Sequence, residues 1–146
     1  MNFFDSLAIS ASALTAERQR TEIIAANLAN AETTHTQAGG PFKRREVVFQ
    51  TEGGSSFGLS LASARTGEVA GEVRVAEVVD DPSPPVMRYE PGHPDANKQG
   101  YVAYPAINPA MEMVDLMDAA RAYQLNASAV AATKQMIQQT IEVLKS

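Results

Sequence analysis

The stretch PAMEMVDLMDAARAYQLNASAVAATKQMIQQTIEVLKS, residues 109–146, decides the fold. It contains no glycine, and no proline after Pro109. Steps of three and four, taken alternately, give Met113, Leu116, Ala120, Tyr123, Ala127, Val130, Lys134, Ile137, Ile141 and Leu144. All but Lys134 are apolar or aromatic, and a 3.5-residue repeat of that kind is the a/d seam of a coiled coil. Asn108 suits the N-cap, Pro109 the first helical position, and Glu112 the positive first turn. Such a helix is roughly 55 Å long. A compact globule of this chain length is only about 40 Å across. The helix therefore overhangs any globular body, and its seam needs a partner. The chain reads as a building block of an assembly and not as an enzyme.

Bulk properties narrow the classes further. The length allows one domain with a core, or a small domain carrying long helices. A net charge of −5 argues against a nucleic-acid partner. The one basic cluster, Lys43-Arg44-Arg45, runs straight into Glu46 and reads as a solvated loop or the start of a strand. There is no cysteine, which removes disulfides and thiol chemistry. No apolar run approaches the ~20 residues that span a bilayer, so no membrane span is expected. The apolar stretch from Leu7 to Ala16 is preceded only by the charge of Asp5, whereas a secretory signal needs a positive region there. A cleaved signal peptide is not expected.

Glycine and proline divide the sequence into three. All nine glycines lie between Gly39 and Gly100, and all eight prolines between Pro41 and Pro109. Both residues interrupt helices, so the layout is helix, β-rich middle, helix. The expected fold class is α+β: long N- and C-terminal helices forming a coiled-coil-like pair, with a β-rich middle insertion. The expected divisions are residues 1–37, 38–108 and 109–146. In the first, Leu7, Leu14, Thr21 and Leu28 recur every seven residues, while Ser10 and Glu17 interrupt the intermediate places. That weaker seam suits a helix that meets different neighbours along its length, or an ordinary amphipathic helix. It should stop near Asn30-Ala31-Glu32-Thr33-Thr34, where Asn and Thr compete for backbone hydrogen bonds. The middle has strand signals at Val47–Phe49, Glu72–Val79, Val86–Tyr89 and Tyr101–Tyr104. A Gly53–Ser56 loop lies between them, followed by alternating Leu59 and Leu61.

The search for chemistry ends without a catalytic residue, cofactor or metal site. His93 sits in a Gly/Pro/Asp turn, and a triad is recognised by geometry rather than composition. Gly53-Gly54-Ser55-Ser56 lacks the lysine of a phosphate-binding loop, and no His/carboxylate cluster has ligand spacing. Lys134, at an a position, either fixes register or partner number at a cost in stability, or runs its stem along the seam with the ammonium in water.

Ala26-Asn27-Leu28-Ala29-Asn30-Ala31-Glu32-Thr33-Thr34 resembles the N-terminal signature of the bacterial flagellar rod and hook family. Arg121-Ala122-Tyr123-Gln124-Leu125-Asn126, followed by Lys134, resembles its C-terminal signature. The segments Gly39–Phe49, Tyr89–Ala96 and Gly100–Pro105 narrow the resemblance to the family's proximal rod members. Glu32 and Phe42 depart from that pattern, where Asn and Tyr are more usual.

The resemblance implies a structural, torque-transmitting subunit of a helical tube in the basal body. It would be exported by the flagellar type III route without a cleaved signal and assembled in the periplasm. Implied partners are other proximal and distal rod proteins, the export-gate or basal-body adaptor, and further copies of itself. The expected assembly interface joins the seam and the motif residues: Leu7, Leu14, Ile24, Asn27, Leu28 and Asn30 in the first helix, and the ten seam positions with Asn126 in the last. Two other readings stay open: a type III-secreted adaptor or translocator, and a β-domain enzyme with helical dimerisation arms.

Overall fold

The computed structural model describes residues 3–51 and 71–145. In chain order they form α1 (Phe3–Ala29), β1 (Arg45–Thr51), β2 (Val73–Asp80), β3 (Val86–Tyr89), β4 (Tyr101–Tyr104) and α2 (Pro109–Lys145). This is the α+β class expected, with two long terminal helices and short antiparallel strands between them. The Gly53–Ser56 loop and the Leu59/Leu61 alternation lie outside the described residues.

Both helix boundaries that matter for the site are set by asparagine. At the end of α1 the Asn30 side-chain amide donates to the carbonyl of Ala26 (2.9 Å), and its Oδ1 accepts from the Thr33 hydroxyl (3.1 Å). These bonds compete with further helix and stop it. At the start of α2, Asn108 Oδ1 accepts the N–H of Ala110 (3.0 Å), and the Asn108 carbonyl accepts that of Glu112 (3.1 Å). Asn108 is therefore an N-cap with Pro109 at the first helical position.

A tight loop returns the chain toward the end of α1. The Thr36 N–H donates to the Gly40 carbonyl and the Gly39 N–H to the Thr36 carbonyl, both at 2.9 Å. Gly39 and Gly40 have φ of 87° and 73°, a left-handed pair that side chains resist. The Phe42 N–H then donates to the Thr33 carbonyl at 3.0 Å. As a result Arg44 and Arg45 arrive beside Asn27.

The strands form two separate ribbons, β1–β2 and β3–β4. Just outside the first, the Asp81 N–H donates to the Arg44 carbonyl (2.7 Å), so the start of β1 meets the end of β2 and the pair is antiparallel. The second pairs Val86 with Tyr104 and Tyr89 with Tyr101. Tyr89 and Tyr101 also touch edge to face, with ring centroids 5.2 Å apart. Gly100 closes this hairpin with φ of 83°, and a Cβ there would stand 2.8 Å from the Tyr89 ring.

Two compact units result. One contains the described parts of Met1–Gln19, Val48–Glu77 and Ala119–Ser146, and the other is Arg20–Val47 with Val78–Asp118. In the first, Ala16, Ala119 and Thr133 are buried, and the Ser12 hydroxyl accepts the Val73 N–H at 3.0 Å. In the second, the buried set is Ile24, Asn27, Val102, Tyr104, Pro105 and Glu112. Two polar side chains, Asn27 and Glu112, are thus among the most buried of all.

Candidate assembly site

The second unit is built around a polar junction that joins three distant parts of the sequence. Asn27, near the end of α1, is 1% exposed. Its Oδ1 accepts the Arg45 N–H (2.9 Å) and its Nδ2 donates to the Arg45 carbonyl (2.8 Å). The side chain thereby presents to the first residue of β1 what a neighbouring strand would present. The same Nδ2 lies 3.2 Å from Glu112 Oε2, on the first turn of α2. The other oxygen, Oε1, accepts from Arg44 Nε at 2.6 Å. The Arg44 guanidinium also pairs with Glu46 and reaches Asp115 at 3.6 Å. A carboxylate as buried as Glu112 is tolerable only with such partners and the positive helix end behind it. Burial alone would lower the Arg44 pKa, but the hydrogen bond and charge of Glu112, helped by Glu46, carry it above its ordinary value.

This junction divides the basic cluster. Lys43 is exposed and Arg45 begins β1, while Arg44 turns inward to the acids. The sequence reading of a solvated loop or strand start thus fits Lys43 and Arg45 but misses Arg44. Glu112 complements the helix dipole and is also the buried acid of the junction. An arginine pair one loop beyond a helix-ending Asn, with an acid in the first turn of a later helix, is the only sequence trace of the junction.

The faces of α2 are distributed unusually. Its protected residues are Glu112, Asp115, Leu116, Ala119, Ala122, Asn126, Val130, Thr133 and Ile137. They repeat at close to 3.6 residues, as one side of a straight helix does. The polar ones are satisfied within the chain: Asn126 Nδ2 donates to the Ala122 carbonyl (3.0 Å) and the Thr133 hydroxyl to that of Ala129 (2.9 Å). The apolar seam lies only partly on that side. Met113, Ala120, Ala127, Lys134 and Ile141, all its a positions, are exposed. Of its d positions Leu116, Val130 and Ile137 are half-buried, while Tyr123 and Leu144 are exposed. On α1, Leu7, Leu14, Leu28 and Asn30 are half-buried, and Ile24 and Asn27 are buried. The structure therefore gathers Ile24 and Asn27 into the second unit and leaves most of the α2 seam facing outward. Lys134 has its side chain at the surface.

The β3–β4 loop is fixed by its own polar groups. His93 Nδ1 accepts the Asp95 N–H (3.1 Å), and Asp95 Oδ2 accepts the Thr34 hydroxyl (2.6 Å). Tyr104 donates its hydroxyl to Glu90 Oε2 at 2.8 Å, which with burial raises the phenol pKa. These bonds suit the turn expected around His93. Among the described residues no group of three or more His, Asp or Glu side chains could hold a metal, and no helix is long and apolar enough to cross a membrane.

Long glycine-free end helices, a polar fastening between their sequence segments and an uncovered apolar stripe define a structural assembly subunit. Comparison with known proteins gives the family. The flagella basal body rod protein model matches residues 7–34, and the flagellar basal body rod FlgEFG protein C-terminal model matches residues 98–143. The chain belongs to the flagellar basal-body rod protein family. It is 40% identical to flagellar basal-body rod protein FlgC of Bacillus subtilis, over 99% of this chain and 100% of the relative. It is 38% identical to FlgC of Escherichia coli O6:H1, over 97% and 95% respectively. The figure for FlgC of Borreliella burgdorferi is 33%, over 99% of each chain. The two matched ends supply Asn27 and Glu112, one from each side of the junction.

Proposed function

We propose that this chain is a subunit of the proximal rod of the flagellar basal body and acts without catalysis. It joins other rod proteins, the basal-body adaptor and further copies of itself in a helical tube that carries motor torque. Export through the flagellar type III route to the periplasm accompanies that role. Residues 1–37 and 109–146 serve as the assembling arms, and residues 38–108 form the middle portion. The observation that carries this reading is the outward apolar seam of α2 in a chain whose end-to-end relatives are rod proteins. Heterologous contacts that do not close give helical growth, and many side-by-side helix contacts resist twisting. Burying the seam between subunits supplies the free energy of that growth.

The test is a charge on the exposed seam. Ile141→Asp and Ala127→Asp are expected to exclude the chain from isolated basal bodies and abolish motility, with the purified chain keeping its helix content by circular dichroism. Normal motility from both variants would rule the seam out as the assembly contact.

A further inference from the structure

A two-stranded ribbon has two outer edges, each a row of N–H and C=O groups with which another strand can pair. In the β3–β4 hairpin the register says which residues form those rows. The Glu90 N–H donates to the Gly100 carbonyl at 2.9 Å, one position beyond the Tyr89–Tyr101 pair. Bonded and non-bonded pairs alternate along an antiparallel ladder, so Arg88–Val102 and Val86–Tyr104 also bond inward. Met87 and Tyr89 therefore turn their backbone groups outward on β3, as Tyr101 and Ala103 do on β4. The next members of the β3 row are Pro85 and Pro91, and the next member of the β4 row is Pro105. None of the three has an N–H to offer. The other end of the β4 row is already occupied. The Tyr101 N–H donates to Asn97 Oδ1 (3.0 Å), and the Tyr101 carbonyl accepts the Asn97 N–H (2.8 Å). An added strand would make that pair of bonds, and here a loop residue makes it instead. Asn27 treats Arg45, the first residue of β1, in the same way from a different element.

We infer that Pro85, Pro91, Asn97 and Pro105 are specificity residues that close the edges of the β3–β4 hairpin against the strands of other copies of the chain. Val86, Met87, Tyr89 and Tyr101 are exposed, and strands of such residues with open edges are templates for pairing. A subunit that assembles with copies of itself meets them at high local concentration, where strand pairing competes with every intended contact. The prolines limit the competition without weakening the hairpin, because an outward N–H is not part of the ladder. On β3 the open row is reduced to Met87 and Tyr89, and on β4 to Ala103 between the occupied Tyr101 and Pro105. Such rows are too short to hold an added strand in register. The closure belongs to the hairpin and holds whether or not the α2 seam is the rod contact.

The test opens the edges in the purified full chain, with Pro85→Val/Pro91→Val on β3 and, separately, Asn97→Ala on β4. Association is followed by light scattering and β content by infrared spectroscopy. Each opened variant is expected to associate about tenfold faster than the parent chain, with a gain of β signal. Two further variants separate edge pairing from a loosened fold. Asn97→Asp keeps the acceptor oxygen and should behave as the parent does. Met87→Pro, added to the opened β3 edge, removes an outward N–H and no ladder bond, so it should return association to the parental rate. A parental rate in either opened variant would overturn the inference. So would faster association that Asn97→Asp shares or that Met87→Pro leaves unchanged. Ile141→Asp keeps the two levels apart. If it abolishes the association of the opened variants, that association runs through the helices and the edge closure has failed. If it enters basal bodies normally, the seam reading has failed and the edge result stands.

Discussion

The first turns of α2 and the remainder of that helix hold their protected face by different chemistry. At Glu112 and Asp115 the protected face is charged, and it is held by Arg44 and Asn27. Beyond them the protected face carries Ala122, Val130 and Ile137 with Asn126 and Thr133, while most of the apolar seam is outward. A globular helix normally buries its apolar stripe and wets its polar one. The contrast teaches how one helix can serve two purposes. Directional polar bonds fix where it starts relative to Arg44, Arg45 and Asn27. Its non-directional apolar surface is left for partners.

The largest effect that could break this comparison comes from Glu112→Ala. It strips Arg44 of its closest acid and Asn27 of an acceptor, and removing one partner of a buried pair costs about 3 kcal/mol or more. Chemical denaturation should show that loss, and an unchanged midpoint would mean the junction is incidental. Asn27→Ala comes next. It orphans the N–H and carbonyl of Arg45 at the start of β1, at about 1–3 kcal/mol for the unpaired groups. Hydrogen exchange at the Arg45 amide should rise more than at any β4 amide.

Tyr104 gives a smaller, signed effect. Its phenol pKa is raised by the bond to Glu90, so the associated stability is present below pH 10.0 and fades as pH rises through the higher folded value. Absorbance titration should find a tyrosine ionisation above the ordinary phenol range, and Tyr104→Phe should remove that step. Lys134→Leu is expected to change stability least, within about 0.5 kcal/mol, because the side chain is at the surface of the free chain. If it instead stabilises the purified chain strongly, the a positions are covered by the chain itself and the comparison collapses.

The helices were legible in the sequence because glycine and proline are confined to the middle, and because Asn108-Pro109 and Asn30 mark ends through local chemistry. The strands were legible through β-branched runs between turn residues; only their bounds moved, as when β1 gained residues on either side of Val47–Phe49. The seam positions could be counted, but which of them the chain protects could not. Periodicity finds an apolar stripe at 3.5 residues, whereas protection follows a 3.6-residue face that takes Leu116, Val130 and Ile137 from that stripe and adds Glu112, Asn126 and Thr133. The junction was hidden for a related reason. Asn27 and Arg45 are 18 residues apart and Asn27 and Glu112 are 85 apart. The first pairing comes from the Thr33–Phe42 loop closing back on α1, and the second joins two helices whose meeting no local pattern encodes.

One consequence follows from the absence of glycine and proline in α2. Helices bend sharply at those residues, and α2 has none along its 37 residues after the proline at its first position. Mechanically it is a strut without a hinge. A twist applied at its capped end has no soft joint in which to dissipate, so it is spread over every turn as a small elastic strain. In the proposed rod, stiffness is then a property of the bare sequence, present before the first neighbour arrives. Inserting one glycine near Gln124 would give the strut a joint while leaving its outward seam chemically intact.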